Sequence, residues 1–238
     1  IPNLANLAPL FRDSPFDPRT RNGIVWQWGL TGIAYRRDLV APPTSWRVFL
    51  GGEGGVDGRM TMLDDAREVL GAMLRMRGHS LNSADPAELV VAKADAVSAK
   101  AHLAAFVSAA VKGQLVTGDV WVAQLWNGDA RQAQAEEPNV GFVVPEDGST
   151  IFSDHMVLLA GCPHPRAAHA FLDYVLRPDV AAGISEATGF GTPCEAALPL
   201  LRSPVPYPSV AELGRLEYPM DLGDATALVS PDTGTATH

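Results

Sequence analysis

Met60-Thr61-Met62-Leu63-Asp64-Asp65-Ala66-Arg67-Glu68 is a short apolar strand that runs straight into a helix, whose stripe Val69, Leu70, Met73 and Leu74 follows at helical spacing. Such a junction is the building unit of an α/β fold. Outward from it, residues 120–126 and 140–144 read as strands, and residues 151–159 as another, with Asp154 and His155 as its polar interruptions. Residues 165–176 and 179–187 read as helices, the second ending at Gly189. A helix is expected from Glu88 towards Phe106, and a turn feeding a short helix at residues 42–46. Ahead of the junction, residues 24–28 and 31–35 are β-branched and aromatic with Gly29 between them, as in one bent strand through the middle of the protein. Residues 1–20 read as a lead-in and residues 229–238 as disordered. The alternation predicts a parallel or mixed sheet flanked by helices.

At 238 residues, with 47% hydrophobic and 19% charged, the chain can bury the core of one large domain or two modest ones. A net charge of −9, with no Lys/Arg run, argues against nucleic acid as a partner. Cys162 and Cys194 are the only cysteines, and the sequence leaves open whether they pair or are two small buried apolar residues. No apolar run reaches membrane-spanning length, and Ile1 opens without a basic segment or apolar h-region, so an export signal is expected to have been removed or not included. No nucleophile elbow, phosphate loop, H-E-x-x-H or paired C-x-x-C occurs, the six histidines are scattered, and Cys194 has no evident base beside it. The expectation is a binding protein with no catalysis, no metal and no cofactor.

Asp65 and Glu68, three apart at a helix start, place both carboxylates on one face of the first turn, beside the end of a strand. Spacing alone favours a helix cap, because acids in a first turn complement the helix dipole. The other reading is a ligand site, since that edge of an α/β sheet is where ligands sit. Trp126 ends a strand before the turn Asn127-Gly128, and Phe152 and Asp154 share one side of theirs. Aromatic walls with carboxylates at their ends suit an organic ammonium. Core burial is the competing fate of both aromatics.

These segments together resemble the spermidine/putrescine-binding proteins of bacterial ABC importers. The resemblance rests on Trp28-Gly29-Leu30-Thr31-Gly32-Ile33-Ala34, Thr44-Ser45-Trp46, Leu63-Asp64-Asp65-Ala66-Arg67-Glu68-Val69 and Trp126-Asn127-Gly128, and continues through Pro145-Glu146-Asp147-Gly148, Leu176-Arg177-Pro178-Asp179-Val180-Ala181 and Thr188-Gly189-Phe190-Gly191-Thr192-Pro193. It implies an α/β, periplasmic-binding-protein-like (type II) fold: two lobes with mixed sheets flanked by helices, closing over a ligand about crossing strands, the first lobe here incomplete. The implied divisions are residues 1–34 (remnant of lobe 1 and hinge strand), 35–150 (lobe 2), 151–215 (return to lobe 1) and 216–238 (crossover and tail).

The resemblance also implies an exported protein, periplasmic or lipid-anchored, that binds a polyamine and docks on a membrane permease. Asp65, Glu68 and Asp154 match acids that hold amine groups, and Trp126 matches a wall aromatic. Phe152 falls where Trp is frequent, Phe190 where spermidine binders have Tyr, and His155 where a small residue is usual, so His155 is expected to crowd the cation; Trp28 is expected at the cleft or hinge. Family members begin with further βα units before the position of Ile1, and an incomplete lobe is expected to favour self-association through exposed strand edges. The alternatives are a sensory or interaction protein on the same scaffold, or a fragment without binding competence.

Overall fold

A computed structural model describes residues 1–12, 17, 20–51, 55–202 and 210–220 of the protein. The chain runs from a 3-10 turn (Pro2–Asn6) through α1 (Pro9–Arg12) into a long strand, β1 (Gly23–Arg36), and a second 3-10 turn (Trp46–Leu50). There follow β2 (Met60–Met62), α2 (Ala66–Met76), α3 (Pro86–Lys100), β3 (Leu103–Phe106), α4 (Val111–Thr117), β4 (Val122–Trp126) and α5 (Asn127–Glu136). The remainder is β5 (Val140–Val143), β6 (Ser149–Val157), α6 (Pro165–Val175), α7 (Pro178–Thr188), a 3-10 turn (Glu195–Leu200), α8 (Val210–Leu213) and β7 (Leu216–Glu217).

The strands are ordered β3-β2-β4-β1-β6-β7, with β5 also on β1. β2 pairs in parallel with β3 and β4, whereas β1 pairs antiparallel with β4, β5 and β6, so the sheet is mixed as expected. β1 holds it together by changing partners along its length. Its first part, as far as Leu30, pairs with β6, and its last part, from Thr31, pairs with β4 and β5.

Each part of β1 has its own core. Around the later part, one cluster packs Ile33, Trp46, Phe49, Met60, Met62 and Met73 beneath α2 and α3. A second, on Ala34, Leu115, Leu125 and Ala133, lies under α4 and α5. Around the earlier part, Leu7 and Ile24 pack on Leu172, Val175 and Leu176 of the α6 region, and Phe11, Val25, Trp28 and Ile151 form a further cluster. Covering both faces of the sheet with helices is what lets β2 and β4 be apolar almost throughout.

Two segments tie distant parts together. Asp147, in the turn before β6, accepts from Ser45 Oγ (2.7 Å) and Trp46 N (2.8 Å), while Trp46 Nε1 donates to Gly148 O (2.9 Å). Residues 215–220 lie beside β6 through β7 and are held to the α2–α3 connection: Arg75 pairs with Glu217, and Asn82 bonds Tyr218 O (2.8 Å) and Met220 N (2.7 Å).

The structure corrects several local expectations. β1 is one strand, as expected, but its irregularity is not at Gly29; it is a bulge between Val25 and Gln27, which leaves Trp26 as the extra residue. The helix expected towards Phe106 stops at Lys100, and Leu103–Phe106 is a strand, because it adds to the edge of β2. Trp126-Asn127-Gly128 leads into α5, not a turn; Asn127 is buried, and its Oδ1 accepts from Leu30 N (3.0 Å). Cys162 and Cys194 are both free thiols, and Cys194 is buried on Ala181, Ala182 and Ala197. The expected disorder of residues 229–238 lies outside the described residues.

Candidate functional site

The site is built where β1 changes partners. Alternate residues of a strand face one side, and opposed residues of an antiparallel pair share that side. The registers Gln27↔Asp154, Gly29↔Phe152 and Thr31↔Trp126 therefore put Gln27, Gly29 and Thr31 of β1 on one surface with Phe152 and Asp154 of β6 and Trp126 of β4. Thr150 of β6 continues the same row.

Glu68 reaches this surface from the first turn of α2. Thr150 Oγ1 donates to Glu68 Oε2 at 3.2 Å, which places the glutamate against β6, a strand far from it in sequence. Burial pushes the Glu68 carboxyl above its ordinary 4.5; the negative charge of Asp65 adds to the rise, while the Thr150 hydrogen bond and the nearby polar groups of Thr31 and Trp126 oppose it. A carboxylate in that state gains from an incoming cation. Its helix is fixed from below by Gln124, wholly buried on β4, which donates to Glu68 O (3.0 Å) and accepts from Leu63 N (3.3 Å).

Asp65 is the N-cap of α2: its Oδ1 accepts from Arg67 N (2.8 Å) and Glu68 N (3.2 Å), and the residue is exposed. The capping role favoured by spacing is therefore real. It leaves Oδ2 without a bond in the cap, so capping and cation binding are compatible in one carboxylate.

Phe152 and Phe190 form the aromatic wall, edge to face with ring centroids 6.1 Å apart. Two glycines make room for it. A Cβ on Gly29 would stand 2.6 Å from the Phe152 ring and 2.9 Å from that of Phe190, and a Cβ on Gly128 would stand 2.6 Å from Phe190. Phe190 is presented by the left-handed Gly189 (φ 79°) that ends α7, and its carbonyl accepts from Ser185 Oγ (2.6 Å). Asp154 is half-buried at the far end of the row, where Gln27 Nε2 donates to its Oδ2 at 2.6 Å.

His155, expected to crowd the cation, and Trp28, expected at the cleft or hinge, both lie off the acidic row. His155 pairs with Val25 on the opposite face of β6 and bonds Ser153 (3.1 Å), so strand alternation removes its bulk and charge from the acidic row. Trp28 lies on β1, where its ring is buried with Phe11, Val25 and Ile151, and its Nε1 donates to Thr192 O (3.2 Å). A cavity of about 410 Å³ beside β6 is lined by Asp17, Ser153, His155 and Tyr218, and Phe152 also borders it. The Asp17 carboxylate there is already engaged by the backbone N–H groups of Arg21, Asn22 and Gly23.

Gln27, Thr31 and Thr150 belong to the site and are not singled out by the sequence. Thr150 could have been reached by counting back in twos from Asp154; Gln27 and Thr31 need the strand register. Among the described residues no group of three or more His, Cys, Asp or Glu could hold a metal ion. The row contains carboxylates, hydroxyls and aromatic rings, a set whose chemistry suits an organic cation.

The family model for bacterial extracellular solute-binding proteins matches residues 1–207. The chain belongs to that family. It is a solute-binding protein, and its fold is of the periplasmic-binding-protein type with no enzymatic role. It is similar to the putrescine/cadaverine-binding protein of Pseudomonas aeruginosa, with 31% identity over 93% of this chain and 68% of that one. Its similarity to the spermidine/putrescine-binding periplasmic protein of Escherichia coli is 32% identity over 96% of this chain and 67% of the relative. The solved spermidine/putrescine ABC transporter substrate-binding protein PotD of Streptococcus pneumoniae superposes with a TM-score of 0.83 at 28% identity, covering 95% of this chain and 73% of that one. The TpPotD lipoprotein of Treponema pallidum gives 0.85 at 25% identity, covering 96% and 73%. Among the described residues no helix is long and apolar enough to cross a membrane.

Proposed function

We propose that the chain binds a polyamine such as putrescine or spermidine, laid along the row from Asp65 and Glu68, past Trp126 and the Phe152–Phe190 wall, to Asp154. The observation that carries the reading is the convergence of Glu68 on Thr150: an acid from the α2 junction and the strand bearing Phe152 and Asp154 meet on one surface. The methylene stem would lie on the rings, and an ammonium would meet carboxylate at each end. The names of the relatives in Pseudomonas and Escherichia point to the same chemistry.

In this reading β1 is the hinge strand, residues 1–34 and 151–215 belong to one lobe and residues 35–150 to the other, and residues 216–220 begin the crossover. The change of partners along β1 supports that division. The protein would work outside the cytoplasm, in the periplasm or lipid-anchored, and hand its ligand to an ABC permease. Calorimetric titration with putrescine and spermidine tests the binding: saturable heat that disappears in Asp154→Asn together with Glu68→Gln supports it, and no heat at millimolar ligand contradicts it.

A further inference from the structure

We propose that Gln27 sets which kind of cation Asp154 accepts, and that it selects an alkylammonium over a guanidinium. The inference rests on the polyamine reading and deepens it at one end of the row.

Gln27 lies directly opposite Asp154 in the regular register that runs from Leu30↔Ile151 through Gly29↔Phe152 and Trp28↔Ser153. The bulge at Trp26 falls only beyond that pair, where the register shifts by one residue to Val25↔His155. Gln27 Nε2 then donates to Asp154 Oδ2 at 2.6 Å, so one carboxylate oxygen is committed within the protein. The other amide arm has no such return: Gln27 Oε1 is buried without a hydrogen-bond partner among the described residues. An orphaned buried acceptor is costly, and an apolar side chain of the same size would avoid the cost. The position thus gives up stability to hold Asp154.

A carboxylate with one oxygen already accepting from Gln27 offers only its other oxygen unshared to the ligand. A primary ammonium, a compact charge with three N–H donors, needs no more than that. A guanidinium binds carboxylate best as a planar fork across both oxygens, and the Gln27 amide obstructs that fork. Gln27 is a positioning residue in this scheme, acting on the ligand through Asp154.

The test compares putrescine with 1,4-diguanidinobutane, which has the same four-carbon spacer and a guanidinium at each end, by calorimetry on the unsubstituted chain and on Gln27→Leu. The unsubstituted chain should prefer putrescine, and Gln27→Leu, which frees Oδ2, should narrow that preference by about five- to tenfold. Ligand-free Gln27→Leu should melt at the same temperature or higher, because the orphaned carbonyl is gone; Gln27→Met provides a second apolar variant of different shape. A preference unchanged in both variants, or a melting temperature that falls in step with affinity for both ligands, overturns the Gln27 role and leaves the polyamine reading standing. Tighter binding of the diguanidine by the unsubstituted chain likewise overturns it. Binding of neither compound overturns the polyamine reading and the selectivity together.

Discussion

Replacing Glu68 by Gln should move stability and binding in opposite directions. In the free protein the carboxylate is partly buried and its pKa is raised chiefly by desolvation, so its charge is carried at a cost. Gln has the same shape and can still accept from Thr150 Oγ1, so the ligand-free variant should unfold at the same temperature or higher at neutral pH. Binding loses a hydrogen bond between charged partners, about 1.5–3 kcal/mol. At about 1.4 kcal/mol per tenfold, that is roughly 10- to 150-fold in affinity for putrescine. The same residue sets a pH dependence. Its folded pKa is above the ordinary 4.5, so between those two values the folded chain holds more protons than the unfolded one, and this group's contribution to stability falls as pH rises. A cation selects the ionised form, so binding should tighten with rising pH over that window and release protons. Calorimetry in buffers of different ionisation enthalpy, paired with thermal unfolding, reads all three effects. Affinity within twofold of the unsubstituted chain, or a pH slope that survives in Glu68→Gln, would refute the reasoning.

Substitutions at three further positions separate packing, binding and self-association. Asp65→Asn keeps a capping acceptor and should leave stability almost unchanged while weakening polyamine binding, whereas Asp65→Ala should also cost about 1 kcal/mol on thermal unfolding; equal stability loss in both would deny the cap. Gly29→Ala puts a methyl 2.6 Å from Phe152 and 2.7 Å from Asn127 Oδ1, and should destabilise by about 1–3 kcal/mol while disturbing the wall; an unfolding curve like that of the unsubstituted chain would contradict the close packing. Among the described residues the edge of β6 away from β1 has a strand partner only at Ser149 and Thr150, and Val157 is exposed. Concentration-dependent self-association is therefore expected in light scattering and should weaken in Val157→Lys; a monomer at all concentrations would count against it.

The sequence revealed the elements better than their meeting. The junction at residues 60–68 predicts both β2 and α2, because an apolar run and a helical stripe are local signals. The role of Asp65 as a cap was likewise legible, being settled within three residues. Leu103–Phe106 was not, since an Ala-rich segment takes strand form only against β2. The face of His155 was decided by counting in twos from Asp154, a signal that was present and that the family resemblance obscured. The pairing of Gln27 with Asp154 spans 127 residues and depends on the register of β1 on β6, which no local pattern announces. Nor does local pattern bring Glu68 to Thr150, because that contact exists only once β1 has joined β6 to β4.

The central claim is that a polyamine lies on the face of β1 and β6 that carries Phe152 and Asp154. Nuclear Overhauser contacts between putrescine methylenes and aromatic ring protons test it most directly. The account predicts contacts to Phe152, Phe190 and Trp126 and none to His155 or Tyr218, which line the cavity that Phe152 borders from its other side. Contacts to His155 and Tyr218 without those to Phe152 and Phe190 would contradict it.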